Sequence, residues 1–351
     1  MGVVRDLVAA LNLRVASGVV DTEVLRKRSL PTLLGALGGC AVVLALAAIV
    51  RFNAGRHSAR LEEFELVFVS IVVEALPFII LGALVSSLIA VFVPDHAFRR
   101  VSRMPTHVQV PGAMACAMAF PVCECGSVPV ARRLIRRGVA PAAGLAFMLA
   151  APVVNPVVLV STYVAYQSTG LGVQMTVARF GLGLIVAAVA ALLLRRAASS
   201  QREGAEDASD HAHDHGHAGG LSAVADHVAA DFVYMGKFLV VGAAVAAAMQ
   251  TFVPRSLFDS LGGSILLAPI VMMALAFLLS LCSEADAFVA VSFTGFGTGS
   301  QLAFLALGPV LDAKLALLYW GTFKRWFVPA LLAVAAPIIL VGSLCFEVAV
   351  R

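Results

Sequence analysis

Apolar residues run in long stretches near 30–51, 64–93, 141–167, 172–194, 231–253, 301–320 and 326–347, each closed by a polar or charged flank. A helix needs about 20 such residues to cross a hydrocarbon core, so the pattern predicts an all-α polytopic membrane protein. Two polar islands break the apolar pattern: Phe120-Pro-Val-Cys-Glu-Cys-Gly-Ser-Val-Pro129 in the first half and Leu281-Cys-Ser-Glu-Ala-Asp-Ala-Phe288 in the second. Carboxylates and thiols at membrane depth are costly to hold, which marks both islands as the candidate working centre.

The two halves read as a duplication. Phe78-Ile-Ile-Leu-Gly-Ala-Leu-Val before Pro94 matches Phe238-Leu-Val-Val-Gly-Ala-Ala-Val before Pro254, at a spacing of 160. The register continues with Cys123 against Cys282, a spacing of 159, and Leu145-Ala-Phe-Met-Leu-Ala-Ala-Pro152 against Leu302-Ala-Phe-Leu-Ala-Leu-Gly-Pro309, a spacing of 157. Such a small drift over that span points to an internal repeat.

Charge bias orients the halves. Arg26, Lys27 and Arg28 place the start of the first helix in the cytoplasm, and Arg99, Arg100 and Arg103 place the end of helix 64–93 there. Arg132, Arg133, Arg136 and Arg137 lie on the same side, so segment 108–130 must enter and leave by one face. A re-entrant hairpin with the Cys-Glu-Cys motif at its tip meets that demand, because non-helical backbone at depth is tolerated where it lines a protein cavity. Helix 231–253 then runs outward, opposite to 64–93. The expectation is two inverted repeats, each of three spanning helices plus a broken-helix hairpin, preceded by one extra helix and resembling a transporter architecture.

The expected organisation is a cytoplasmic amphipathic lead-in at 1–29, an extra helix and loop at 30–60, a first repeat at 61–196, a His/Asp-rich cytoplasmic linker at 197–230 and a second repeat at 231–351. Lys324 and Arg325 fall inside the cell.

Composition agrees with this picture. The chain has 351 residues, 60% of them hydrophobic and 13% charged, with a mean hydropathy of +0.95, outside the range of a water-soluble domain. Its formal charge of +4 comes from clusters beside apolar runs, which are topology signals rather than a nucleic-acid surface. All six cysteines (Cys40, Cys116, Cys123, Cys125, Cys282 and Cys345) lie in apolar sequence, so reduced thiols are expected and not a disulfide framework. No Gly-x-x-x-x-Gly-Lys-Ser/Thr motif is present, so ATP drive would need a partner subunit, and no cofactor is called for.

Cys123 and Cys125 supply two soft sulfur donors with Glu124 between them. Pro121, Gly126 and Pro129 are expected to break the helix there. Cysteine also serves as a small residue for close packing, the role assigned to Cys40, Cys116 and Cys345, but packing gives no reason for Glu124. In the second half Cys282 keeps one thiol, Glu284 takes the place of Cys125 and Asp286 that of Ser127. This half suits a cation or proton exchange; a helix start with Ser283 capping is the plainer alternative. Asn155 follows Pro152 and precedes Pro156, and Asp312 follows Pro309, so broken helices are expected to present an amide and a carboxylate to the same site. Asn155 repairing its kink and Asp312 pairing with Lys314 are equally good accounts.

Glu74 and Lys237, near one end of two matching helices, are candidates for an ion pair, and snorkelling explains Lys237 as well. His211, His213, His215 and His217 alternate with acids in the linker and form a weak candidate metal site.

Three of these features together, Cys-x-Cys-Gly-x-x-Pro followed by Arg132-Arg133, Ala-Pro-Val-x-Asn-Pro at 151–156 and Cys-Ser-Glu-Ala-Asp-Ala-Phe at 282–288, resemble the bacterial predicted permeases of the ArsP/YraQ type. The resemblance covers the chain from about residue 60 onward and implies a multi-pass permease of the cell membrane; some members export trivalent organoarsenicals. The expected function is secondary, proton-coupled export of a thiophilic small molecule or metalloid. Cys123, Cys125 and Cys282 would bind it, and Glu124, Glu284 and Asp286 would carry protons or counter-charge. A membrane thiol-disulfide oxidoreductase and a metal or anion channel are the alternatives. A homo-oligomer is compatible with everything read so far.

Overall fold

A computed structural model describes residues 59–92, 95–119, 123–198, 221–252 and 266–350. The lead-in, the extra N-terminal helix, Pro121 and the histidines at 211–217 lie outside them. Every element among the described residues is a helix: α1 (Ala59–Phe92), α2 (Asp95–Ser102), α3 (Thr106–Ala117), α4 (Glu124–Arg136), α5 (Pro141–Val154), α6 (Pro156–Gln167), α7 (Gly172–Leu193), α8 (Arg195–Ala198), α9 (Leu221–Phe252), α10 (Leu267–Leu279), α11 (Asp286–Ser292), α12 (Thr298–Leu307), α13 (Ala313–Thr322) and α14 (Phe327–Val350).

Among the described residues four stretches are long and apolar enough to cross a membrane: Leu61–Leu88, Pro141–Gln167, Gly172–Leu193 and Phe327–Val350. The centre of the fold is built from two helices that are buried all round. In α5 every residue from Ala142 to Val154 is buried, and in α12 every residue from Gly299 to Leu307. Such helices are stable only when surrounded. Around α5 pack α3, α4 and α7, and around α12 pack α10, α11 and α14. The same neighbours recur in the same chain order. The halves meet where α1 crosses α9, where α7 meets α12 and α14, and where α6 meets α11.

α1 leans on α4, and α9 on α13. A Cβ on Gly82 would stand 2.5 Å from the Gly126 Cα, and one on Gly242 would stand 2.9 Å from the Lys314 Cα. Glycine at these two matching positions lets backbone approach backbone beside the polar islands.

Several expectations need correction. Gly126 and Pro129 do not break a helix, because α4 runs through both. Pro152 also lies within its helix, and the interruption falls at Asn155, with Pro156 opening α6. Pro156 at the first helical position has no intrahelical N–H to lose. The span expected at 301–320 is two helices, α12 and α13, separated by Gly308–Asp312, with Pro309 in the turn between them. Finally, α9 begins at Leu221, so the end of the stretch assigned to the linker is helical.

Candidate functional site

The first island starts a helix. Cys123 is extended at the N-cap of α4 (φ −75°, ψ 177°) and Glu124 lies in its first turn, where the partial positive charge of free N–H groups favours a carboxylate. The Ser127 hydroxyl is within hydrogen-bonding distance of two carbonyls, Glu124 at 2.9 Å and Met148 at 3.1 Å. Met148 is the residue whose carbonyl Pro152, four positions on, cannot serve, so this motif serine repairs the proline defect in α5.

The second island lies in an interruption between helices. α10 ends at Ser280, a non-glycine residue in the left-handed region (φ 47°), an arrangement that costs roughly 1–2 kcal/mol. The Ser280 hydroxyl accepts the Ala313 N–H at 3.2 Å and so ties the start of α13 to this bend. Carbonyls left free here find side-chain donors: Gln250 Nε2 donates to Leu279 at 2.7 Å, Lys314 Nζ to Leu281 at 3.5 Å and Arg179 Nη2 to Ser283 at 3.2 Å. Non-helical backbone away from water demands such partners.

Sulfur from both halves converges at this point. Cys123, Cys125 and Cys282 border one cavity, and the Cys282 thiol donates to Glu284 Oε2 at 2.7 Å. Glu284 Oε1 is buried with no partner. The Ser283 hydroxyl donates to Glu124 Oε2 at 3.0 Å, and Lys314 Nζ sits 3.0 Å from Glu124 Oε1. Lys314 Nζ is also 3.5 Å from Asp312 Oδ2, which makes the expected pair with Asp312 real but secondary to the contact with Glu124.

A cavity of about 170 Å³ opens beside this cluster. Cys123, Glu124, Cys125, Cys282, Ser280, Lys314, Gln250 and Glu74 line it, with apolar residues of α1. Glu74 thus shares a wall with the motif, whereas the Lys237 side chain lies outside the described residues. Other sequence candidates are placed elsewhere. Asn155 caps α6, accepting the Val157 N–H at 3.0 Å, and Asp312 caps α13, accepting the Leu315 N–H at 2.7 Å. Asp286 is held by both arms of the Arg179 guanidinium, at 2.7 and 2.9 Å, and Thr162 also accepts from Arg179 at 2.8 Å.

Sequence reasoning missed Arg179, Gln250 and the contact of Lys314 with Glu124. Arg179 carried a usable signal, being a charge in the middle of an apolar run that an ion pair must explain. Gln250 carried only a weak one. Among the described residues no three His, Cys, Asp or Glu side chains stand in an arrangement able to hold a metal ion.

Residues 60–348 match a family described as predicted permeases. A Bacillus subtilis protein named UPF0718 protein YcgR is 39% identical over 281 residues, covering 79% of this chain and 95% of the relative. A Streptococcus mutans protein, named as a subunit of a two-component membrane permease complex, is 32% identical over 283 residues, covering 79% of this chain and 93% of the relative. No solved structure matches. The likeness and the long apolar helices together make the chain a multi-pass membrane protein.

Proposed function

Since the chain belongs to the ArsP-type family of predicted permeases, we propose that it is a secondary exporter of a thiophilic small molecule or metalloid species, a trivalent organoarsenical being the type. The observation that carries this reading is that Cys123, Cys125 and Cys282, drawn from two halves of the chain, line the wall of one cavity. Three soft donors around one cavity suit a thiophilic metalloid cargo rather than a resident metal ion. Glu284, whose Oε2 accepts from the Cys282 thiol, takes the proton that this thiol loses when it binds the cargo as a thiolate and returns it on release.

In this reading the halves are inverted repeats in the cell membrane with the N-terminus in the cytoplasm, and the proton gradient drives export. Interrupted helices such as α5/α6 and α12/α13 suit alternating access. The name of the Streptococcus relative supports a second subunit as a partner.

The test is a toxicity panel of methylarsenite, arsenite, antimonite, zinc and copper in a host stripped of its own exporters. Wild type is compared with Cys123→Ser and Cys282→Ser, with and without collapse of the proton gradient. At least one compound should be tolerated only with wild type and an intact gradient. If no compound separates wild type from both variants, export of a thiophilic cargo is wrong.

A further inference from the structure

Lys314 opens α13, and its side chain is almost wholly buried at the wall of the cavity. Three oxygens surround its ammonium: Glu124 Oε1 at 3.0 Å from the start of α4, Asp312 Oδ2 at 3.5 Å from the cap of α13, and the Leu281 carbonyl at 3.5 Å from the interrupted segment after α10. The ammonium donates to Glu124 and to the Leu281 carbonyl, while Asp312 Oδ2 faces it as an ion pair and has no hydrogen-bond partner. Two of the oxygens belong to carboxylates and the third is a backbone carbonyl released by a helix end. Such a set of hard oxygen donors, contributed by broken helices, is the kind of shell that holds an alkali cation in a transporter.

Packing and hydrogen bonds fix the groups around the ammonium. A Cβ on Gly242 of α9 would stand 2.9 Å from the Lys314 Cα, so α9 presses directly on this backbone. Ser283 occupies the other oxygen of Glu124, at 3.0 Å, and Leu315 N–H occupies the other oxygen of Asp312, at 2.7 Å. Two carboxylates therefore share one buried positive charge. Removing that charge would leave two anions at close quarters in an apolar surround, a strong demand for a replacement.

We propose that Lys314 is a tethered cation: its ammonium occupies the position of an exchangeable sodium or potassium ion, and the permease is therefore independent of alkali cations. The charge that joins the start of α4 to the start of α13 is built into the chain. This assignment concerns the coupling ion of the site proposed above and rests on reading the cavity as the translocation site. Its test needs no cargo, so it succeeds or fails separately from the toxicity panel.

Thermal unfolding of the purified full-length protein would be followed by tryptophan fluorescence in sodium, potassium or choline chloride at equal ionic strength. Wild type should unfold at one temperature in all three salts. Lys314→Ala opens space for an ion, and its midpoint should rise saturably in sodium or potassium over choline, by roughly 3–6 °C. The double variant Lys314→Met with Glu124→Gln fills the volume, lowers the negative charge and should show no salt preference. An alkali-dependent midpoint in wild type overturns the proposal, as does a Lys314→Ala protein indifferent to the salt. A Lys314→Ala protein that cannot be purified in any salt, beside a stable double variant, overturns it too.

Discussion

Two buried ion pairs join the first half of this protein to the second, and they are built differently. Arg179 grips Asp286 with both arms of its guanidinium, at 2.7 and 2.9 Å, and spends its remaining contacts on Thr162 and the Ser283 carbonyl. Lys314 reaches Glu124 with one donor at 3.0 Å, and its other oxygen partners are 3.5 Å away. The cation comes from the first half in one pair and from the second half in the other. Planar bidentate geometry fixes both side chains, whereas a point charge shared among several oxygens holds no single arrangement firmly. The Arg179 pair is sealed in the protein, and the Lys314 pair borders the cavity. The first clamps the halves together, and the second leaves a polar junction free to rearrange.

The largest expected effect comes from breaking the clamp. Arg179→Leu leaves Asp286 charged and unpaired in the interior and should destabilise the protein by about 3–5 kcal/mol, seen as lost membrane yield and a lowered unfolding midpoint. Arg179→Leu with Asp286→Leu should recover most of that loss, because two apolar side chains replace a pair that had already paid its desolvation. Recovery of nothing would mean that the guanidinium is needed for the Ser283 carbonyl rather than for the charge.

Glu124→Gln should be milder, about 1–2 kcal/mol, because Lys314 keeps Asp312 and an amide still accepts from Ser283. A loss as large as that of Arg179→Leu would erase the contrast between the two pairs. Ser127→Ala removes the hydroxyl that reaches the Met148 carbonyl and should cost about 1 kcal/mol, readable as faster amide exchange around Pro152. The smallest effect belongs to Asp312→Asn, a residue that caps equally well and loses only the 3.5 Å contact with Lys314, at a cost of about 0.5 kcal/mol in stability, read from the unfolding midpoint.

Much of the fold could be read along the chain. The apolar lengths predicted α1, α7 and α14 closely, and the matching Gly82 and Gly242 prove to be two points of closest approach between neighbouring elements. Prolines misled, since Pro129 and Pro152 sit inside helices whose defects are met from outside: the carbonyl that Pro152 strands is served by a serine 21 residues away from it. Along the chain Asp286 reads as a carrier of protons or counter-charge, yet an arginine 107 residues distant claims it.

The order of apolar and polar residues decides which segments enter the membrane and which polar groups must be answered there, because the cost of leaving them unanswered is paid locally, residue by residue. Which partner answers each group is decided only when the helices pack. Glu124 and Lys314 lie 190 residues apart, and no periodicity links them. Their meeting depends on α1 and α9 pressing α4 and α13 to the same wall, a property of three-dimensional contact that no local pattern carries.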